Sequence, residues 1–158
     1  MALKIKRLIN PVFIFFIICA SACSDEKLTP EDEIKQYIKL VKLAVENRNH
    51  SELAHLIDEG YADHKGLNKK RLIKMTRGYF FTHQNIHLFT KIDSIVLQNK
   101  NSAFVTLHVA MAGSVITDLN SINNLRAQVY KFEIQLIKKN KWLLQQAKWH
   151  TADLKEVL

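Results

Sequence analysis

"YKFEIQLIKKNKWLLQQAKWH", residues 130–150, is the stretch that decides the fold. Tyr130, Phe132, Ile134 and Leu136 alternate with Lys131, Glu133 and Gln135. A two-residue period puts one apolar face on an extended strand and would scatter it around a helix. The lysine-rich break around Asn140 is a turn, after which "KWLLQQAKWHTA" (141–152) runs back as a partner strand carrying Trp142 and Trp149.

Two more strands precede this hairpin. "NIHLFTKIDSIVLQ" (85–98) and "SAFVTLHVAMAG" (102–113) flank "NKN" (99–101), a short polar turn. "SVITDLNSINN" (114–124) has no period and reads as a polar loop joining the two hairpins. Further back the period becomes helical. Thr29 is an N-cap, Pro30 suits the first helical position and Asp32 follows as a first-turn acid. Ile34, Tyr37, Ile38, Val41, Ala44 and Val45 keep helical spacing to about Asn47. "HSELAHLID" (50–58) reads as a second short helix, with Ser51 as its cap and Gly60 as its stop, followed by a turn or small hairpin in "YADHKG" (61–66). "LNKKRLIKMTRGYFF" (67–81) is a third helix capped by Asn68, with Leu72, Ile73, Met75, Thr76, Tyr79 and Phe80 on its inner side. Three helices followed by antiparallel strands on short turns predict an α+β domain in which the helices pack on a curved antiparallel sheet.

The chain has 158 residues, 47% hydrophobic and 24% charged, enough for one domain with its own core. Its formal charge is +8, which falls to +5 without Lys4, Lys6 and Arg7. That balance favours anionic surfaces, but no aromatic-interleaved basic motif of a nucleic-acid module is present, so no nucleic-acid partner is expected.

The basic start, residues 8–19, apolar except for Asn10 and Pro11, and the small residues Ala20, Ser21 and Ala22 have the form of a secretory leader; Pro11 breaks the apolar run, which is too short for a membrane span. "ASAC" (20–23) resembles the lipobox of bacterial lipoproteins, with alanine at residue 20 where leucine is usual. The resemblance implies cleavage after residue 22, a lipid on Cys23 and, from Ser24, sorting to the outer membrane of a Gram-negative cell, facing the periplasm. Cys19 leaves with the leader, so Cys23 would otherwise be a single exposed thiol in an oxidising compartment. The expected organisation is a leader at 1–22, a linker at 23–28, a domain at 29–152 and a tail at 153–158.

The helix and strand order resembles the nuclear transport factor 2-like superfamily, the cystatin-like cone shared with ketosteroid isomerases and polyketide cyclases. Three stretches carry the likeness: "AVENRNHSELAHLIDEGYADHKG" (44–66), "DSIVLQNKNSAFVTLHVAMAG" (93–113) and the hairpin at 130–150. The resemblance implies a cone with a pocket, a sheet face that often makes homodimers, and a general base at Asp63 with His64 beside it. Against that base, the site of the expected oxyanion tyrosine holds Val41, Tyr37 lies a turn earlier, and the strand at 125–138 offers only Glu133. Asp63 and His64 also read as ordinary turn residues.

Tyr37, Tyr79, Phe80, Phe81, Phe104, Tyr130, Phe132, Trp142 and Trp149 read mostly as core, with Tyr61, Tyr79, Phe80, Tyr130 and Trp149 as pocket candidates. Lys69, Lys70, Lys74 and Arg77, with Arg71, give the third helix a basic face that could meet anionic head groups. His83 and His87 straddle a helix end and lack a third ligand, so neither metal nor cofactor is expected. The leading reading is a lipid-anchored, non-catalytic module that binds a small apolar ligand or a protein. The alternatives are a cofactor-independent isomerase or dehydratase using Asp63, and an envelope assembly factor that meets the membrane through the basic helix.

Overall fold

The computed structural model describes residues 28–114 and 128–153. The leader, Cys23, nearly all of the linker and of the loop at 114–124, and the tail after 153 lie outside the described residues. In chain order the elements are α1 (Pro30–Glu46), α2 (His50–His55), β1 (Ile57–Asp63), α3 (Lys69–Thr82), β2 (His87–Asn99), β3 (Ser102–Ala112), β4 (Gln128–Lys138) and β5 (Trp142–Thr151). The strands form one sheet in the order β1-β5-β4-β3-β2, with α1, α2 and α3 against it.

α1 starts where Thr29 Oγ1 accepts the Asp32 N–H at 3.2 Å, with Pro30 at the first position and Glu31, Asp32 and Glu33 favouring the positive end of the helix dipole. It buries Ile34, Tyr37, Ile38 and Ala44. The cap of α2 is Asn49 rather than Ser51: its side chain accepts the Glu52 N–H at 3.0 Å. The helix also stops earlier than Gly60, at Leu56, and the following residues turn into β1. α3 begins at Asn68, whose side-chain oxygen accepts the Arg71 N–H.

β2, β3, β4 and β5 pair antiparallel as the alternation predicts. β1 joins them as a parallel edge strand on β5, although its residues read in sequence as the end of a helix and a turn. Its pairing jumps from Ile57 to Ala62 while β5 advances only from Leu144 to Gln146, so three extra residues bulge out around Gly60. A second register shift, between Ile92 and Ser94, leaves Asp93 as an extra residue and swaps the inward set from Leu88, Thr90 and Ile92 to Ile95 and Leu97. Bulges bend a strand and raise its twist, and here they curve the sheet around the helices.

The core joins the helices to the inner face through Ile34, Leu56, Ala103, Val105 and Leu136, each at most 2% exposed. Two aromatics read as core turn away from it. Phe104 stands at an outward position of β3 opposite Val96, and Phe81 is 89% exposed on α3.

Two carboxylates tie the β4–β5 turn to the rest. Glu33 accepts from Lys138 Nζ and from Trp142 Nε1, and Asp58 accepts from Lys139 Nζ and the Gly60 N–H. The lysine hydrogen bonds hold both carboxyls below their usual range. Asp58 is buried, but its partner Lys139 is more than half exposed, so solvent screens the pair. Lowered folded-state values mean that these groups stabilise the fold above their unfolded pKa, about 4, and lose that contribution as pH falls through the folded values. Urea titrations are therefore expected to give level stability from pH 7 to about 5 and a decline below, shallower in Glu33→Gln/Asp58→Asn. An unchanged acid slope in that variant would remove the assignment.

Candidate functional site

A cavity of about 430 Å³ lies between the sheet's inner face and helices α1 and α3. It falls within the usual range of small-molecule sites. The alternation of β3 and β4 supplies one wall, with Leu107, Val109, Phe132 and Ile134 pointing inward, and α1 supplies Ile38 and Val41 opposite. Met75, 52% exposed, and Gln128, also exposed, belong to the lining and mark where the cavity reaches the surface.

Tyr61, Tyr79, Phe80, Tyr130 and Trp149 all line this space. Tyr79 Oη donates to Met111 Sδ at 2.8 Å, a weak acceptor that a ligand oxygen could replace. Burial pushes the Tyr79 phenol up, so it remains a donor. Tyr130 Oη donates to Gln128 Oε1 at 2.9 Å. Trp149 stacks with Phe132 at 6.0 Å, with His64 edge-on at 4.7 Å and Lys65 Nζ 4.9 Å from its ring centre. Thr76 and Thr90 add two hydroxyls, and Lys42 also borders the space, its ammonium 3.9 Å from Glu46 Oε1; none of these polar groups stands out in the sequence. The inward β3 set Leu107, Val109 and Met111 was readable from parity, but parity does not distinguish a filled core from a hollow one.

Among the described residues, no carboxylate, imidazole or thiol belongs to the lining. Asp63 sits beside the cavity, held in a turn. Its Oδ1 accepts the N–H groups of Lys65 at 2.8 Å and Leu67 at 2.9 Å, and Tyr61 Oη donates to Oδ2 at 3.4 Å. Gly66, at φ 75°, closes that turn with its N–H on the Asp63 carbonyl. His64 is exposed. The phenols of Tyr37 and Tyr61 are raised by burial, and the Tyr37 hydroxyl is held by the Leu56 carbonyl at 3.1 Å.

A turn-making Asp63 has a distinct mutational signature. Asp63→Ala is expected to cost about 1–2 kcal/mol of unfolding free energy because two N–H groups lose their acceptor. Asp63→Asn, which keeps an acceptor oxygen, should stay within about 0.5 kcal/mol of the parent. Equal losses in urea titrations of the two variants would show that the charge, not the turn, matters.

Lys69 differs from the other basic residues of α3. Its ammonium lies 2.6 Å from Glu59 and 2.8 Å from the Ile57 carbonyl, so β1 occupies it and it leaves the outward basic face. Lys70, Arg71, Lys74 and Arg77 are exposed. His83 stacks on Tyr79 at 4.0 Å, and no three metal-type side chains gather among the described residues.

An open, bent sheet wrapped around helices with an apolar hollow between them is the nuclear transport factor 2-like cone, and the chain has that fold. Particular solved structures then match along most of the described chain. A scytalone dehydratase-like protein from Novosphingobium aromaticivorans is 13% identical, with 78% of this chain and 84% of that one covered and a TM-score of 0.65. A ketosteroid isomerase-like protein from Erwinia carotovora atroseptica is 11% identical, with 80% and 99% covered and a TM-score of 0.58. Bd1075 of Bdellovibrio bacteriovorus is 12% identical at a TM-score of 0.60; 77% of this chain is covered, and the chain spans 40% of that protein's length. No family model matches the sequence, and no curated protein does.

Proposed function

We propose that the chain is an envelope binding protein, carried by a lipid on Cys23 at the outer membrane, facing the periplasm, and holding an apolar ligand in its cone. The observation that carries the binding reading is the hollow itself: about 430 Å³, walled by aliphatic and aromatic side chains. Among the described residues its phenols, hydroxyls and amide can orient a ligand's oxygen atoms, and no carboxylate or imidazole faces the space to take a proton from carbon. The isomerase-type reading needs a base facing the ligand, whereas Asp63 Oδ1 is committed to two backbone N–H groups.

The test is a titration with N-phenyl-1-naphthylamine, an uncharged fluorophore that the basic α3 has no reason to attract. Saturable binding at one molecule per chain, unaffected by Asp63→Asn, supports the reading; absence of saturable uptake overturns it. Mass spectrometry of the chain recovered from envelopes tests the anchor. A mature N-terminus at Cys23 bearing a diacylglyceryl thioether is expected, and an intact Met1 with a free thiol would refute it.

A further inference from the structure

We infer that a second surface, formed by α3 and the α1–α2 connection, docks directly onto anionic phospholipid, with Phe81 entering the headgroup layer. This does not rest on the cavity or on the anchor. The first observation is charge. α3 contains Lys69, Lys70, Arg71, Lys74 and Arg77 and no acid. Lys70 and Arg71 stand in its first turn, where the helix dipole disfavours cations, and no residue in the first turn offsets them. A local choice that works against helix stability points to a task for those charges.

The second observation is a shallow basin beside the far end of α3. Arg48 borders it from the α1–α2 connection, His50 from the start of α2, and Arg77, Gln84 and Asn85 from α3 and the segment after it. Arg48 follows the end of α1 at φ 52°, the left-handed position that glycine fills most easily. An arginine there accepts backbone strain while placing a guanidinium beside the basin. No ion pair among the described residues engages Arg48 or Arg77. The acids nearby are Glu46, which accepts the Leu88 N–H, and Glu52, in the first turn of α2.

The third observation is Phe81. It lies one helical turn beyond Arg77, borders the same basin and is 89% exposed. A soluble anion engages the guanidinium groups but leaves the bare ring in water. A bilayer surface uses both features: phosphates meet the guanidinium groups, and the ring sinks to the headgroup–acyl boundary. Bilayer is therefore the occupant that fits charge and aromatic together.

The test replaces Phe81 with tryptophan in the full chain and reads the added emission against the parent. Vesicles contain either phosphatidylglycerol with phosphatidylcholine or phosphatidylcholine alone, each with a brominated-chain lipid as quencher. On the anionic vesicles a blue shift and quenching at residue 81 are expected, weakened at 0.5 M salt by at least tenfold in apparent lipid affinity. Adding Arg48→Glu and Arg77→Glu should remove the signal while leader-driven partition persists, which separates this surface from the apolar N-terminus. Both arginines are exposed, and an unchanged near-ultraviolet circular dichroism spectrum verifies the fold. Equal quenching on phosphatidylcholine, persistence of the signal in the double reversal, or an equal response to inorganic phosphate or polyglutamate without lipid would overturn the assignment.

Discussion

Leu136→Ala is expected to lower the unfolding free energy by about 2–5 kcal/mol, a large share of the about 5–15 kcal/mol that keeps a domain folded. Leu136 is 0% exposed, sits between Ala103 and Leu144 on the neighbouring strands and does not line the cavity. Its removal leaves a new void in close-packed surroundings, the costly case. Leu107→Ala is the informative control. Leu107 is also buried, at 5% exposed, but one side already faces empty space. Truncation there removes fewer contacts and enlarges an existing hollow, so the expected cost is smaller, about 1–2 kcal/mol. Urea titrations at constant m-value measure both. Equal costs would mean that the cone is packed solid at Leu107.

The same contrast explains what the sequence made legible. The four long strands could be read because their alternation is local: Tyr130, Phe132, Ile134 and Leu136 all turn inward, as their period requires. α1 and α3 were equally readable from Thr29 and Asn68. β1 was not. Its partner β5 lies more than eighty residues away, and the bulge around Gly60 destroys the alternation that would have revealed it. The swap of inward parity at Asp93 was hidden for the same reason. The site was legible in its residues and not in its shape. Tyr61, Tyr79, Phe80, Tyr130 and Trp149 were all singled out, but inward Leu107 and Val109 look alike whether they meet a neighbour or a void. Phe81 was misread because it adjoins Phe80, and a single step around a helix turns one ring inward and the next to solvent.

Filling the hollow is the change with the largest expected effect on binding. Val109→Trp places an indole into the cavity from the middle of β3, between Thr90 and Tyr130 on the flanking strands. In a close-packed interior such an enlargement forces side chains off their rotamers and costs about 1–3 kcal/mol or more. In a true void the added ring gains contacts instead, so stability should change by less than about 1 kcal/mol. Affinity for N-phenyl-1-naphthylamine should nevertheless fall at least tenfold, because the ring occupies the volume the probe needs. Val105→Trp supplies the opposite case. Val105 points to the same inner side of β3, is 1% exposed and lies outside the cavity lining, so the same enlargement there should destabilise severely. A stable Val109→Trp chain that no longer takes up the probe, beside a Val105→Trp chain that barely folds, places the binding volume in the cone. Retained uptake by Val109→Trp would move the ligand elsewhere, and a collapse as deep as that of Val105→Trp would deny that the space exists.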